Sequence, residues 1–288
     1  IGIEDVLKEH FDEENIVYWM AFQILMGNVD TQNRNVYLYS PLNSDIWYFI
    51  AWDNDGCLMR PEYELRNFSD QNSWEKGISN YWGNILFQRC LKSRSFREKL
   101  NDAILDLREY LNKDMLTSKI ESYKNVLKPY LYLMPDAEYE PLTSEQYDQI
   151  AASLPDEIEK NYQLYLESLE TPMPFYIGVP TIDGDKLKFN WDVSYDLDAE
   201  DITYFVEVAR DYLFRDVIYQ NTTLTVPEAE MDLPEAGQYF VRVRATNTSG
   251  KTQDAFDYYV TDEGKHYGMK CFYITEDNTV EEDIYEEG

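Results

Sequence analysis

The sequence predicts an α+β fold in two domains, a mostly helical first domain that carries a β-hairpin and an all-β sandwich after it. Three observations predict it. At 288 residues the chain exceeds the usual single-domain size. Apolar residues keep helical spacing through most of the first 170 positions, and from about position 174 they alternate instead. With 44% hydrophobic residues, 25 Tyr and 6 Trp, the chain has enough large apolar side chains to bury two cores despite its charge.

Taken in order, Asp12 followed by Glu13 and Glu14 is a helix start, and Ile16, Val17, Met20, Ile24 and Leu25 keep helical spacing until Gly27 stops it. This helix delivers the chain to Asn28, Val29 and Asp30. β-Branched and aromatic residues dominate 36–39 and 46–52, with Pro41-Leu42-Asn43-Ser44-Asp45 as turn chemistry between them, which predicts a hairpin. The hairpin begins just after Asn35 and ends at Asp53-Asn54-Asp55-Gly56. Residues 61–77 read as irregular. Helical stripes return over 85–91, 96–111 and 116–127, and 144–169 reads as a further helix interrupted near Pro155.

The period changes at Thr171-Pro172-Met173-Pro174, so the first domain is expected over 1–171 and the second over 172–262. In the second, Leu187, Phe189 and Trp191 alternate, as do Tyr204, Val206 and Val208, and then Tyr239, Val241 and Val243. Residues 263–288 are expected to form an acidic tail with an extra strand over 267–274 and a disordered end.

The formal charge of −30 comes from 55 acidic against 25 basic side chains. Such a field repels polyanions, which argues against nucleic acid as a partner. No apolar run approaches the roughly 20 residues of a membrane-spanning helix, and a secretion signal is not seen at the N-terminus, although a precursor could carry one. Cys57, Cys90 and Cys271 are far apart and show no metal-type pairing with His10 or His266, so neither a zinc site nor a disulfide framework is expected.

The chemistry-bearing residues lie at the two ends of the hairpin. Asp30 and Asn35 form a D-x-x-x-x-N pattern before it, and Asp53 opens a D-x-D-G after it. Phosphoryl transfer needs a carboxylate to accept the proton of the substrate hydroxyl, and hard oxygen ligands that hold Mg²⁺ against the phosphates. An Asp, an Asn shortly after it and a second Asp beyond a hairpin supply those parts in protein kinases. Taken alone, D-x-x-x-x-N also suits residues that merely cap turns. A calcium loop of the EF-hand type is disfavoured, because its sixth position should be glycine and is Leu58 here.

The run Met26-Gly27-Asn28-Val29-Asp30, then Asn33-Arg34-Asn35-Val36-Tyr37-Leu38-Tyr39, then Trp47-Tyr48-Phe49-Ile50-Ala51-Trp52-Asp53-Asn54-Asp55, resembles the central signature of the CotH (spore coat protein H) kinase family. Ala51 stands where the family has proline. Leu86-Phe87-Gln88-Arg89-Cys90-Leu91 and Ser95-Phe96-Arg97-Glu98-Lys99 resemble the helices that follow, so the likeness covers 1–169. The resemblance implies an atypical protein kinase of the spore coat or bacterial cell surface that transfers the γ-phosphate of ATP to serines of other proteins with Mg²⁺. It implies Asp30 as the catalytic aspartate, and Asn35 and Asp53 as metal ligands, with Asp55 a second candidate. Trp52 reads as packing, and Asn28-Val29 stands where protein kinases have His-Arg.

About thirty residues precede Asp30, which leaves no room for a glycine-rich nucleotide cover or its lysine. The chain is therefore expected to be the C-terminal lobe of such a kinase, with poor affinity of its own for Mg-ATP. The second domain resembles a fibronectin type III module over 174–260, carried by Trp191 and by Leu233-Pro234-Glu235-Ala236-Gly237-Gln238-Tyr239 with the Val241-Arg242-Val243-Arg244-Ala245 strand, an immunoglobulin-like sandwich. The alternative to an enzyme is a non-catalytic surface protein that uses both domains to hold a partner or the cell wall.

Overall fold

The computed structural model describes residues 1–32, 34–66, 74–262 and 264–283. The fold is α+β with antiparallel sheets, and the chain divides into two compact units, residues 1–69 with 76–167 and residues 70–75 with 168–288.

In the first unit, helix α1 (Ile3–His10) precedes α2 (Glu13–Met26). The sequence reading passes over α1, whose two buried positions, Ile3 and Leu7, are too few to set a period. Asp12 caps α2 as expected, its carboxylate accepting the Asn15 N–H at 2.9 Å. Ile16, Val17, Trp19, Met20, Ala21, Ile24 and Leu25 are all buried, so beyond its acidic first turn α2 is apolar on most of its surface and forms the centre of the unit. It packs against α5 (Arg94–Tyr110) through Phe96, Leu100, Ala103 and Ile104; α5 follows α4 (Ile85–Lys92) and is capped by Ser93.

The hairpin forms from β1 (Tyr37–Tyr39) and β2 (Tyr48–Ile50), with Leu38 opposite Phe49. Phe49 is its buried foot, with its ring 4.9 Å from Trp19 and 5.8 Å from Phe87. The Asn15 side chain clasps the same residue, accepting the Phe49 N–H at 2.6 Å and donating to its carbonyl at 3.1 Å. An amide on α2 thus stands in for a third strand.

Residues 61–77 were expected to be irregular, but α3 (Arg60–Leu65) forms there, with Pro61 in its first turn where the missing N–H costs nothing. The rest of the expected irregular stretch, 67–73, lies outside the described residues. α6 (Lys113–Leu131) runs past the expected end at residue 127. α7 (Ser144–Glu170) is continuous through Pro155 rather than interrupted. Ala151, Pro155, Ile158, Asn161 and Tyr165 are buried at spacings of three and four, and burial of that stripe outweighs one lost backbone hydrogen bond.

In the second unit, β3 (Thr181–Asp183), β4 (Lys186–Asn190) and β7 (Glu228–Asp232) form one sheet in the order β3-β4-β7. A larger sheet holds β5 (Ile202–Ala209), β6 (Val217–Leu224), β8 (Gly237–Asn247), β9 (Thr252–Asp254), β12 (Met269–Ile274) and β13 (Val280–Glu282), in the order β13-β12-β8-β5-β6 with β9 on β8. β10 (Tyr258–Thr261) pairs with β11 (Gly264–Tyr267) as a separate hairpin. Leu187, Phe189, Trp191, Val206, Val243 and Phe272 share the core.

A sandwich ending at residue 262 would leave out β12, which lies beside β8 and buries Phe272 and Ile274. The extra strand expected over 267–274 forms as β12, and it belongs to the large sheet. The last residues of the expected tail, 284–288, lie outside the described residues.

Gly27 ends α2 with φ +62°, and a Cβ there would lie 2.7 Å from Nδ2 of the buried Asn161. Asn161 cannot retreat easily. Its Nδ2 donates to the Leu25 carbonyl at 2.9 Å, and its Oδ1 accepts from Arg60 at 2.7 Å. Gly27→Ala is expected to cost about 2–4 kcal/mol, combining left-handed strain with overpacking. A urea denaturation midpoint equal to that of the unsubstituted protein would refute the assignment.

Candidate active site

The loop after α2 is built from side-chain hydrogen bonds. Asn28, 2% exposed, starts a 3-10 turn over Val29–Thr31, with its Oδ1 accepting the Asp30 N–H. The Thr31 hydroxyl donates to the Asn28 carbonyl at 3.1 Å and lies 3.0 Å from the Tyr81 hydroxyl, while Asn80 donates to the Val29 carbonyl at 3.2 Å. The backbone around Asp30 is held from beneath. Its carboxylate is left on the surface, where Oδ2 accepts the Asn35 amide at 2.9 Å.

The loop after β2 is tied to the first by a buried relay of amides. Asn28 Nδ2 donates to Gln23 Oε1 at 3.0 Å, and Gln23 Nε2 donates to Asn54 Oδ1 at 3.1 Å. Asn28 Nδ2 also reaches Asn54 Oδ1 at 3.4 Å. Gly56 completes the join, because a Cβ there would lie 3.0 Å from Asn28 Oδ1 and 4.0 Å from Asp30 Cβ. Asn54 and its neighbours form a 3-10 turn over Asn54–Gly56, preceded by Asp53 in left-handed conformation at φ +52°.

All four residues singled out in the sequence, Asp30, Asn35, Asp53 and Asp55, are therefore at one place. The electrostatics agree with this. Asp53 is held above the ordinary carboxylate range, first by a hydrogen bond shared with Asp55, then by the Asp55 charge, a small loss of solvent and the Asp30 charge. Burial, followed by the Asp55 charge, pushes the Cys57 thiol up to about 12, so it is not a nucleophile at neutral pH. All three cysteines are free thiols.

Two oxygens that share a proton repel one another once it leaves. Among the described residues no three His, Cys, Asp or Glu side chains are arranged to hold a metal ion. Mg²⁺ needs no such cage, since it is bound by one or two carboxylates together with water and substrate phosphates, and the paired hard oxygens of Asp53 and Asp55 fit that donor set.

Sequence reasoning missed the relay. Gln23 carried the usable signal, being the one amide or charged residue of α2 beyond its first turn and only 1% exposed. Trp52, read as packing, does pack, with its ring 5.0 Å from Tyr37, yet it is half exposed at the surface beside Asp53.

Because folding raises the Asp53 pKa, its protonated form favours the folded state, and that contribution is lost as pH rises through the raised value. Asp53→Asn removes the repulsion and retains a residue that tolerates left-handed backbone. It is expected to raise the thermal midpoint at neutral pH. The gain should vanish below the ordinary carboxylate range, and a gain independent of pH would refute the electrostatic origin.

The family model for CotH kinase protein matches residues 2–165, more than half of the chain. No curated protein matches it. Among solved structures, "Structure of surface layer protein SbsC, domains 1-6" aligns at 13% identity over 95% of this chain and 38% of that one. Its TM-score is 0.17, too low to carry a structural argument. On the family match, joined to the Asp30, Asn35, Asp53 and Asp55 cluster at the two ends of the hairpin, the chain belongs to the CotH kinase family.

Proposed function

We propose that the first unit carries the acid-base and metal side of a serine-directed protein kinase of the spore coat or bacterial surface, with ATP as phosphoryl donor. The observation that supports this most is the Asn35 to Asp30 hydrogen bond, set across the amide relay from the Asp53 and Asp55 pair. In this reading Asp30 accepts the proton of a serine hydroxyl at its exposed carboxylate. Asn35 orients that carboxylate by donating to one of its oxygens, which leaves the other for substrate. Asp53 and Asp55, with Asn35, would hold Mg²⁺, which when bound neutralises phosphate charge.

The Asp53 and Asp55 pair is strained by its own charge, and a cation relieves that strain, so affinity for Mg²⁺ should fall as pH drops through the raised Asp53 value.

For the second unit we propose a fibronectin type III module that acts as a spacer. The Tyr239 hydroxyl donates to the Glu235 carbonyl at 2.7 Å, four residues upstream, in the manner of a tyrosine corner, and Trp191 is buried.

Asp30→Asn in the intact protein is expected to reduce transfer of radiolabelled phosphate from ATP to a serine-containing protein by about 10²-fold or more while leaving the circular dichroism spectrum unchanged. Transfer at the unsubstituted rate would overturn the proposal for Asp30. Asn35→Ala should lower the rate less, because its role is to orient and to share a ligand.

A further inference from the structure

The second unit holds a lysine, an aspartate and a glutamate in contact, none of them part of the site just described. Lys270 on β12 places Nζ 3.1 Å from Asp257 Oδ1 and 2.6 Å from Glu282 Oε1 on β13. Asp257 and Lys270 side chains are only 9% and 15% exposed, while Glu282 reaches solvent at 36%. A cavity of about 230 Å³ opens over the group, walled by Tyr176, Phe256, Tyr259 and Cys271. The placement is rigid. Asp257 Oδ2 accepts the Ile177 N–H at 2.7 Å, and its carbonyl accepts the Gly268 and Met269 N–H groups at 2.7 and 3.2 Å.

A surface ion pair has no need of these features. Here an amine and a carboxyl group are held in contact in a partly dry pocket, one carboxyl oxygen already faces a backbone N–H, and a second carboxylate touches the amine. Such placement raises the effective concentration of one reactant at the other to about 10⁵–10⁸ M in favourable cases, enough to drive a condensation that does not occur between free side chains in water. We propose that Lys270 and Asp257 condense to an intramolecular isopeptide bond, with Glu282 as the proton carrier.

The balance is as follows from the contacts. Lys270 passes one proton to Asp257 Oδ1, which gives an amine and a carboxylic acid without changing the net charge of the pair. The Nζ lone pair forms a bond to Cγ, and negative charge develops on Oδ2, where the Ile177 N–H stabilises it. Glu282 takes a proton from the nitrogen and returns it to Oδ1. The Cγ–Oδ1 bond then breaks, one water leaves, and Glu282 is again a carboxylate. No oxidant, nucleotide or metal is consumed. Burial is the largest influence on both reactants, raising Asp257 and opposing the charge on Lys270, although the Asp257 and Glu282 charges hold Lys270 above its ordinary value overall. Transfer of the first proton removes one of those two charges.

Intact-mass spectrometry of the purified full chain tests this. The expected mass is lower than the sequence mass by one water, and tandem analysis of a digest should give a branched peptide joining Asp257 to Lys270. Glu282→Gln and Lys270→Arg, each shown by circular dichroism to be folded, should both have their full sequence masses. A full sequence mass for the unsubstituted chain overturns the proposal. So does a lost water that maps to the Asp55-Gly56 or Asp183-Gly184 step, where a backbone succinimide forms instead, and a Glu282→Gln chain that still loses water overturns the role of Glu282.

Discussion

Everything about the candidate active site depends on three carboxamides, those of Gln23, Asn28 and Asn54, which hydrogen-bond to one another beneath two acidic loops. Carboxylates repel, and Asp53 shows it in a raised pKa caused by Asp55 and Asp30. Loops that carry such groups would separate if nothing neutral bound them. Amides do so without adding charge, and because Asn28 and Gln23 are almost fully buried, each lost hydrogen bond would leave an unsatisfied partner worth about 1–3 kcal/mol. The relay reaches down into α2, whose apolar surface lies at the centre of the unit. Placement of the acids is thus inherited from the hydrophobic core through Gln23.

Much of this was legible in the sequence because the signals were local. Asp12 and Gly27 announce the two ends of α2, and the turn residues between Tyr39 and Tyr48 announce the hairpin. That the candidate residues meet was legible for the same reason, since a hairpin must return the chain to where it began. The relay was not legible, because pairing of residue 23 with 54 exists only once α2 and the hairpin have packed. Pro155 misled in the opposite way. A local rule predicted a break, and the burial of α7 on either side of the proline overrode it.

In the second unit, alternation revealed the strands with large apolar residues on one face, β12 among them, and left out β13, whose three residues Val280, Glu281 and Glu282 are too few to set a period. β12 keeps Phe272 and Ile274 inward while its neighbours Glu276, Glu281 and Glu282 give the region the composition of a tail. Composition averages over both faces of a strand, and only the face that meets the core decides whether the strand forms. The same strand carries Lys270, whose ammonium meets Asp257 and Glu282.

Asn35 and Asp53 share one further property, a left-handed backbone with φ near +51° and +52°. Side chains other than Gly, Asn and Asp are strained there, so the backbone alone selects a set of residues that already contains the two observed. A relative that had lost all activity would still be held to the same short list at both positions for reasons of shape. Asp30 is different, since its 3-10 turn lies in the right-handed region and admits many side chains. On the reading proposed above, the identity of the residue at the Asp30 position is the informative character when chains of this family are sorted into active and degenerate members, and those at the other two are largely answers to a steric question.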